Sequence, residues 1–434
     1  MNRRRFAVVW ICQLFLVCSL HAQELTLSPY SRYGIGDIMS TTTTRNAGMG
    51  GIGVASDNYF SINRVNPASY GDLVFTTFDI SAFGQFSGLK SQTNKENQFT
   101  AGFHDIGFGF PSNKSLVLVM GFAPFSSVGY KIVDLKNIQL GDSSYVQETQ
   151  YSAEGGINQA YLGAALRLWK RKIRIGVNAS YLFGNSSYNW LLLLRNADST
   201  VVENFQVITT TRDVYIKGVN SQFGFIYQDT INKKNNILFR LGASGDYSLN
   251  LKGDRVTEFD NGTVLDTTSK GFQTGDIVIP SNIGVGFMVN RPGYWSVGAD
   301  VRYRNWENFQ YFDDPVSLGK EMRFSAGAEF SPNPNSQKFL ERVNYRFGAY
   351  WQQTYLQLEE SPIQDMGITL GIGIPAGLKG NSRLNQGRAT SRINLSAEIG
   401  RRGNTSTQPL QELYARIRLG FSLNDRWFIR RVVD

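Results

Sequence analysis

The sequence predicts an all-β protein: a 14-stranded antiparallel transmembrane β-barrel with an N-terminal hatch, or plug, segment. Stretches in which apolar and polar residues strictly alternate recur along the chain, which indicates strands with two different faces. The chain is low in charge, at 18%, and rich in aromatic residues, at 13%, and in glycine, with 44 residues. That composition excludes an intrinsically disordered chain, which has few aromatic residues and a high net charge.

The first 22 residues are predicted to be a secretory signal. Residues 3–5 are arginines, residues 6–20 are almost entirely apolar, and a small residue precedes a cleavage site near Ala22 and Gln23. After this segment no apolar stretch reaches the roughly 20 residues of a membrane-spanning helix. A helical membrane protein is therefore excluded.

Both cysteines, Cys12 and Cys18, lie inside the predicted signal, so the mature chain has no disulfide and no thiol chemistry. The signal also contains three arginines and no acidic residue. Its removal lowers the formal net charge from +9 by 3, to +6. No cluster of lysine and arginine indicates a nucleic-acid partner.

Fourteen segments carry the alternating pattern. A bacterial single-chain barrel normally has an even number of strands, so we interpret a further segment, 188–194, as the extension of a hairpin. The predicted strands are 73–87, 98–110, 115–130, 157–168, 172–183, 214–228, 236–250, 281–290, 294–308, 321–330, 343–354, 365–374, 392–401 and 410–423.

The faces of these strands favour a membrane barrel over a soluble sandwich. In a sandwich the apolar face packs on a second sheet, whereas in a membrane barrel it meets lipid and the polar face lines a lumen. The apolar faces often end in aromatic residues, such as Trp295, Tyr303 and Trp351, as at membrane interfaces. The polar faces are rich in glycine and arginine, so we assign them to the lumen.

The connections fit a barrel whose N-terminus lies on the periplasmic side, where turns are short and the outer loops longer. Two later inner connections, 331–342 and 375–391, are longer than this rule predicts. The predicted inner turns are 111–114, 169–171, 229–235 and 291–293, and the predicted long outer loops are 131–156, 184–213 and 251–280.

The segment 23–72 differs from the barrel, which we assign to 73–434. It alternates weakly and is rich in Gly, Ser, Asn and Thr. These properties favour a hatch inside the lumen, and the alternative is a mobile periplasmic extension.

A motif in this segment resembles the hatch of FadL-type hydrophobic-compound transporters. In that family a glycine-rich run precedes an Asn-Pro-Ala turn and the first strand. Segments 119–125, 156–163 and 279–286 fit the same family, while 28–34 and 422–429 resemble outer-membrane proteins of Bacteroidetes-type bacteria. The matching hatch positions are Gly48, Gly50, Gly51, Gly53, Asn66, Pro67 and Ala68.

The resemblance implies that the protein is located in the outer membrane of a Gram-negative bacterium and binds a hydrophobic ligand such as a fatty acid. The ligand would enter among the outer loops and leave sideways into the bilayer at a kinked third strand. Pro124 falls in the third predicted strand, and proline cannot donate to a sheet ladder. Pro124 is therefore the candidate kink of a lateral gate, and the alternative is a strand end at the rim.

The sequence names no ligand-binding residue. The predicted lumen face carries arginines that suit a carboxylate but equally suit an internal salt-bridge network. Tyr188 and Trp190 beside 191–194 are candidates for a capture site or for a hairpin that packs on itself. The arginines are Arg174, Arg240, Arg302, Arg304, Arg346, Arg416 and Arg418, and the acidic residues on that face are Asp246, Asp300 and Glu398.

We expect no enzyme, no catalytic residue, no cofactor and no metal site. The single histidine of the mature chain, His104, lies beside Asp105 without a supporting motif, so we predict a pore or rim residue. No His/Cys cluster suits zinc. The run 48–53 matches a dinucleotide fingerprint only superficially, since no strand precedes it and no helix follows it.

Two functions remain open at this point. One is transport of a hydrophobic small molecule or lipid, and the other is a structural or shuttle subunit of an outer-membrane secretion or assembly complex. The partners would be outer-membrane lipids with either a hydrophobic ligand or an outer-membrane protein. An apolar tunnel to a gap beside Pro124 favours transport, whereas a lumen filled by the hatch and arginine pairs favours the subunit.

Overall fold

The computed structural model describes most of the chain that follows the predicted signal. The predicted signal, 1–22, lies outside the described residues, as do most of the inner connection 375–391 and the segment 426–434. The described residues are 25–92, 94–196, 200–202, 207–260, 265–266, 271–358, 361–376, 391–405 and 410–425.

One short α-helix, five 3-10 helices and 19 strands make up these residues. No helix among them is long and apolar enough to cross a membrane. The helices are η1 (Pro29–Arg32), α1 (Thr44–Ala47), η2 (Pro67–Asp72), η3 (Trp169–Arg171), η4 (Trp306–Asn308) and η5 (Leu340–Arg342). The strands are β1 (Asp37–Ile38), β2 (Thr76–Ser91), β3 (Lys95–Pro111), β4 (Leu116–Leu140), β5 (Ser143–Leu168), β6 (Ile173–Asn196), β7 (Ile208–Asn232), β8 (Ile237–Asp246), β9 (Leu249–Asp260), β10 (Leu265–Asp266), β11 (Phe272–Ile279), β12 (Asn282–Arg291), β13 (Trp295–Asn305), β14 (Gln310–Tyr311), β15 (Lys320–Phe330), β16 (Asn344–Leu358), β17 (Ser361–Ala376), β18 (Ser391–Arg402) and β19 (Leu410–Asp425).

The strands form a closed antiparallel barrel of 14 strands, as predicted. β2 to β7 pair in chain order, then β8, β12, β13 and β15 to β19 follow, and β19 pairs with β2 along its whole length. β9 pairs with β7 and with β11, and β11 pairs with β14, so these strands continue the barrel on the outer side. Each predicted strand overlaps one barrel strand, although 236–250 runs on into β9 and 294–308 ends in η4. The segment 188–194 is part of β6.

The predicted faces are also confirmed. Apolar side chains point outward, as at Val297, which is 51% exposed, and Ile368, which is 63% exposed. Several lumen-facing arginines are buried, such as Arg240 at 0% and Arg346 at 3% exposure. Because only every second residue meets lipid, such a chain has no long apolar run.

The prediction of long outer loops is wrong. The segments 131–156, 184–213 and 251–280 consist mainly of strand, and the turn between β4 and β5 is only Gly141 and Asp142. β4 to β7 each span 24 to 26 residues, well above the roughly 10 that cross a bilayer. Outside the bilayer neither face of a strand meets lipid. Apolar and polar residues therefore no longer alternate there, although the strand backbones still pair. We call 131–152 and 187–196 the outer extension.

Candidate functional site

The hatch, described from residue 25 to 72, lies inside the barrel lumen. Thr43 caps the N-terminus of α1, where its side-chain oxygen accepts a hydrogen bond from the amide of Asn46 at 3.1 Å. The amide of Gly50 donates to the hydroxyl of Thr369 on β17 at 2.7 Å. The glycine-rich run thus presents its backbone directly to the barrel wall.

Asp300 on β13 binds the end of the same run. One of its carboxylate oxygens accepts from the amides of Gly53 and Val54 at 2.5 and 2.8 Å. Because the carboxylate is buried, these two donors satisfy a charge that water does not reach.

Close approach of the two backbones explains why this part of the hatch is rich in glycine. Gly50 has φ of +70°, and a Cβ on it would lie 2.5 Å from the carbonyl oxygen of Ala349. A Cβ on Gly48 would lie 3.0 Å from the Cα of Gly371 on β17.

The same contact explains the glycines on the lumen face of the strands. A Cβ on Gly348 of β16 would overlap the amide nitrogen of Gly50. Other wall glycines whose Cβ would overlap the hatch include Gly176 against Pro67, Gly224 against Asn66, Gly242 against Val54 and Gly327 against Met49.

Asn66 connects separate parts of the hatch to the wall. Its side-chain oxygen caps η2 by accepting from the amide of Ala68 at 3.0 Å. Its side-chain nitrogen donates to the carbonyl of Val54 at 2.6 Å and to the strand carbonyls of Phe225 and Ala243 at 3.2 Å each. Pro67 follows at the first helical position, where its missing N–H costs no hydrogen bond.

Asp72, at the end of η2, forms a buried ion-pair cluster with two wall arginines. Its carboxylate lies 2.9 Å from Arg174 and 2.6 Å from Arg240. Burial by itself would raise the pKa of Asp72, but the two guanidinium groups outweigh it and hold that pKa below its usual value. Arg240 also donates to the hatch carbonyl of Ala55 at 2.9 Å.

Most of the predicted lumen arginines belong to such pairs. Six of the seven lie within 4 Å of a carboxylate oxygen, whereas Arg302 has no such neighbour among the described residues. The pairs are Arg174 and Arg240 with Asp72, Arg304 with Asp246, Arg346 with Glu329, and Arg416 and Arg418 with Glu398.

Between the hatch and the strands lies a cavity of about 300 Å³. Its lining is mainly charged or polar. His104, predicted as a pore or rim residue, lines it and is buried, with Nε2 3.0 Å from the carbonyl oxygen of Thr42. No group of His, Cys, Asp and Glu within the described ranges suits a metal ion. Lining residues include Arg302, Arg323, Tyr350, Asp365, Glu398 and Tyr414.

The outer half of the lumen is filled by apolar side chains. Trp306 of η4 packs on Tyr355 and Phe309, with ring centroids 4.5 and 5.5 Å apart. Tyr30 and Ile35 of the hatch join this apolar cluster. Its other buried members are Phe125, Ile157, Leu182, Val214, Ile216, Leu249, Leu251, Ile277, Ile279, Phe312, Leu318, Leu356 and Ile363.

The pairing of β3 with β4 stops short of Pro124. β3 and β4 pair only between Pro111↔Val117 and Ile106↔Phe122. Pro124 lies two residues beyond the last paired position, and the register of β4 against β5 shifts between Pro124 and Ser126. We call this separation of β3 and β4 the wall gap.

The N-terminal part of the hatch occupies the wall gap. β1 pairs antiparallel with the free edge of β4, with Ile38 opposite Ser126 and Asp37 opposite Ser127. A Cβ on Gly102 of β3 would overlap the side chain of Leu25, and one on Gly129 of β4 would overlap the carbonyl of Thr26. Residues 25–39 therefore fill the space between the two strands.

The outer-loop aromatic residues lie in the outer extension. Tyr188 stacks on Trp190 at 6.4 Å, and the guanidinium of Arg212 lies 5.0 Å from the Trp190 ring. Tyr188 also packs on Tyr130 of β4. This is the hairpin that packs on itself, one of the two alternatives for these residues.

Sequence reasoning missed Asp72, Glu329 and Asp37 as the carboxylates that hold the hatch. Arg402 of β18 pairs with Asp37 at 2.9 Å, across 365 positions of sequence. Partners this far apart in sequence leave no local pattern. The only sequence signal for them was that a polar N-terminal segment accompanies a lumen face rich in arginine.

Comparisons with known proteins agree with this architecture. A family model described as BamG matches residues 2–434. No curated protein matches the chain. Similar solved structures include the Ralstonia pickettii toluene transporter TbuX, with 13% identity, TM-score 0.56 and coverage of 90% of this chain and 99% of that one.

Two further structures are comparable. The P. putida toluene transporter TodX shares 15% identity at TM-score 0.55, covering 91% of this chain and 99% of its own. A Pseudomonas aeruginosa FadL homologue shares 10% identity at TM-score 0.56, covering 89% and 98%. Identities this low show a shared fold. The chain therefore belongs to the BamG family, and its barrel has the fold of the FadL-type channels.

Proposed function

We propose that this protein is a non-catalytic outer-membrane barrel that serves as a structural subunit of an outer-membrane secretion or assembly complex. The observation that carries the proposal is the filled lumen. The hatch is bound to the wall by backbone contacts and buried ion pairs, and the cavity that remains has a mainly polar lining. A mainly polar cavity offers a hydrophobic compound less of the apolar contact that favours its burial.

Moving the hatch is energetically expensive. Its displacement separates Asp72 from Arg174 and Arg240, and Arg45 from Glu329. Removing one partner of a buried ion pair costs about 3–5 kcal/mol. Such a hatch suits a rigid subunit better than a channel that opens in each transport cycle.

The outer extension supplies a surface for a protein partner. In β4 the residues 131–139 pair with β5 on one edge, while no described strand pairs with their other edge. Val133 and Leu135 are 49% and 63% exposed there. An unpaired strand edge is a template for another chain, and the apolar side chains add burial on contact.

The outer membrane is the location that fits the barrel exterior. Leu370, Phe347 and Ile417 on three different strands are each more than half exposed and face outward. Such a belt is stable only in contact with lipid. Outer-membrane lipids are therefore the constant partners of this chain.

Native mass spectrometry of the tagged full-length chain, extracted from its own outer membrane in mild detergent, tests the proposal. We expect a protein partner in fixed stoichiometry. A double variant, Val133→Lys with Leu135→Lys, should fold but lose that partner. Leu340→Lys, at an exposed position of the inner connection, is the matched control and should retain it. A barrel that carries only a hydrophobic compound would contradict the subunit role.

The second candidate is transport of a hydrophobic small molecule or lipid with lateral release. The wall gap favours it, because the apolar cluster reaches the gap at Phe125, next to Pro124. β1 now occupies the edge of β4 there. Release through the wall gap therefore requires β1 to leave that edge.

A further inference from the structure

Arg302 on β13 is the exception in the ion-pair network of the lumen. Its side chain lines the cavity, and no carboxylate oxygen of the described residues lies within 4 Å of it. Its Nε is buried and has no hydrogen-bond partner. Arg302 is half-buried, and a charge drawn partly out of water without an ion-pair partner favours a counter-ion.

A second arginine lies beside it. Arg323 on β15 is directly opposite Arg302 in the sheet register. Its guanidinium donates to Gln352 at 2.8 Å and to the hatch carbonyl of Gly50 at 3.3 Å, and it lies 3.8 Å from the Tyr350 ring centroid. Arg323 also forms no ion pair with a described carboxylate. Two like charges therefore line one side of the cavity.

The nearest carboxylates on these strands are already engaged. Asp300 accepts two hatch amides. Glu321 accepts from the indole nitrogen of Trp306 at 2.6 Å and from the amide of Gln352 at 2.7 Å. Neither carboxylate forms an ion pair with either arginine within 4 Å.

We propose that the cavity binds a small monovalent anion between Arg302 and Arg323. Charge-assisted hydrogen bonds from the guanidinium groups would hold it. A cavity of about 300 Å³ has room for such an ion with several waters. The two guanidinium groups lie among polar side chains such as Glu321 and Gln352, so we assign a small inorganic anion rather than the head of a fatty acid. The site is independent of either proposed function.

Bromide is the probe, because it scatters anomalously. Crystals of the full-length barrel grown in sodium bromide should show an anomalous peak beside Arg302. The peak should be missing in Arg302→Gln crystals. A wild-type crystal without a peak beside Arg302, or an unchanged peak in the variant, would overturn the proposal.

A solution measurement covers the case in which the variant does not crystallise. An ion that binds only the native state raises stability with the logarithm of its concentration. In a bromide titration with sodium gluconate holding ionic strength constant, the unfolding temperature of the wild type should rise. Arg302→Gln should lose the rise, and Arg291→Gln, at an exposed inner turn, should keep it. A bromide response equal in wild type and Arg302→Gln would count against the site.

Discussion

Arg45 of the hatch and Glu329 of β15 are joined by two hydrogen bonds, Nε to Oε2 at 3.1 Å and Nη2 to Oε1 at 2.9 Å. Glu329 also accepts from Arg346 of β16 at 2.5 Å. The pair fastens α1 to the wall at the inner end of the lumen. Because both side chains are almost buried, the contact is protected from water and from salt.

Glu329→Gln should strongly destabilise the barrel. The change leaves Arg346 without an ion-pair partner among the described residues, while Arg45 keeps Asp57 at 3.0 Å. An uncompensated buried charge costs about 3–5 kcal/mol. Denaturant unfolding of the purified protein in detergent measures the loss.

The matched control for this variant is Glu341→Gln. Glu341 pairs with Lys338 at 3.3 Å on the exposed inner connection, where solvent screens the charges. Its loss should leave the unfolding midpoint unchanged. Equal midpoints for the two variants would show that the buried pair does not hold the hatch.

Asp72 should make the stability of the barrel depend on pH in acid. Its folded pKa lies below the usual value of 3.8 because of Arg174 and Arg240. A depressed folded pKa contributes stability that is complete above the unfolded pKa and is lost as pH falls through the folded pKa. The unfolding midpoint of the wild type should therefore fall below about pH 4. Asp72→Asn should have a lower unfolding midpoint at neutral pH, and its midpoint should change less between neutral and acid pH. A pH dependence as steep as that of the wild type would refute the assignment.

Gly348→Ala should disturb the docking of the hatch. The new Cβ overlaps the amide nitrogen of Gly50, a backbone atom that cannot rotate away. Overpacking of this kind costs about 1–3 kcal/mol. Gly84→Ala is the control, since the nearest atoms to its Cβ are 3.6 Å away, in the Phe99 ring. Heat-modifiable migration of unboiled samples should shift to lower temperature for the first variant only.

The barrel was predictable because its signal is local. The alternation of Val297, Ala299 and Val301 with polar neighbours needs only a few residues to be seen, and it fixes which face meets lipid. The outer extension was not predicted as strand, because strands outside the bilayer do not have one apolar and one polar face. The contacts of the hatch were not predicted for a different reason. β1 is only two residues long, and Ser126, the partner of Ile38, lies 88 positions later in the sequence.

The sequence located the hatch motif but not what its residues do. Gly50 and Asn66 stand at contacts with wall positions that only the closed barrel brings near. The internal salt-bridge network, one of the two alternatives for the lumen arginines, is present in the structure. The exception, Arg302, depends on which carboxylates the folded chain brings near each arginine, and those pairs leave no mark in the local sequence.

In the proposed subunit role the hatch stays in place while the protein works. Ile38→Cys with Ser126→Cys tests it, because directly opposed residues of antiparallel strands are within disulfide reach. These would be the only cysteines after the predicted signal. Oxidation should leave the protein partner bound in native mass spectrometry. Loss of the partner on oxidation, or a block of labelled toluene uptake by cells that a reductant reverses, would contradict the account.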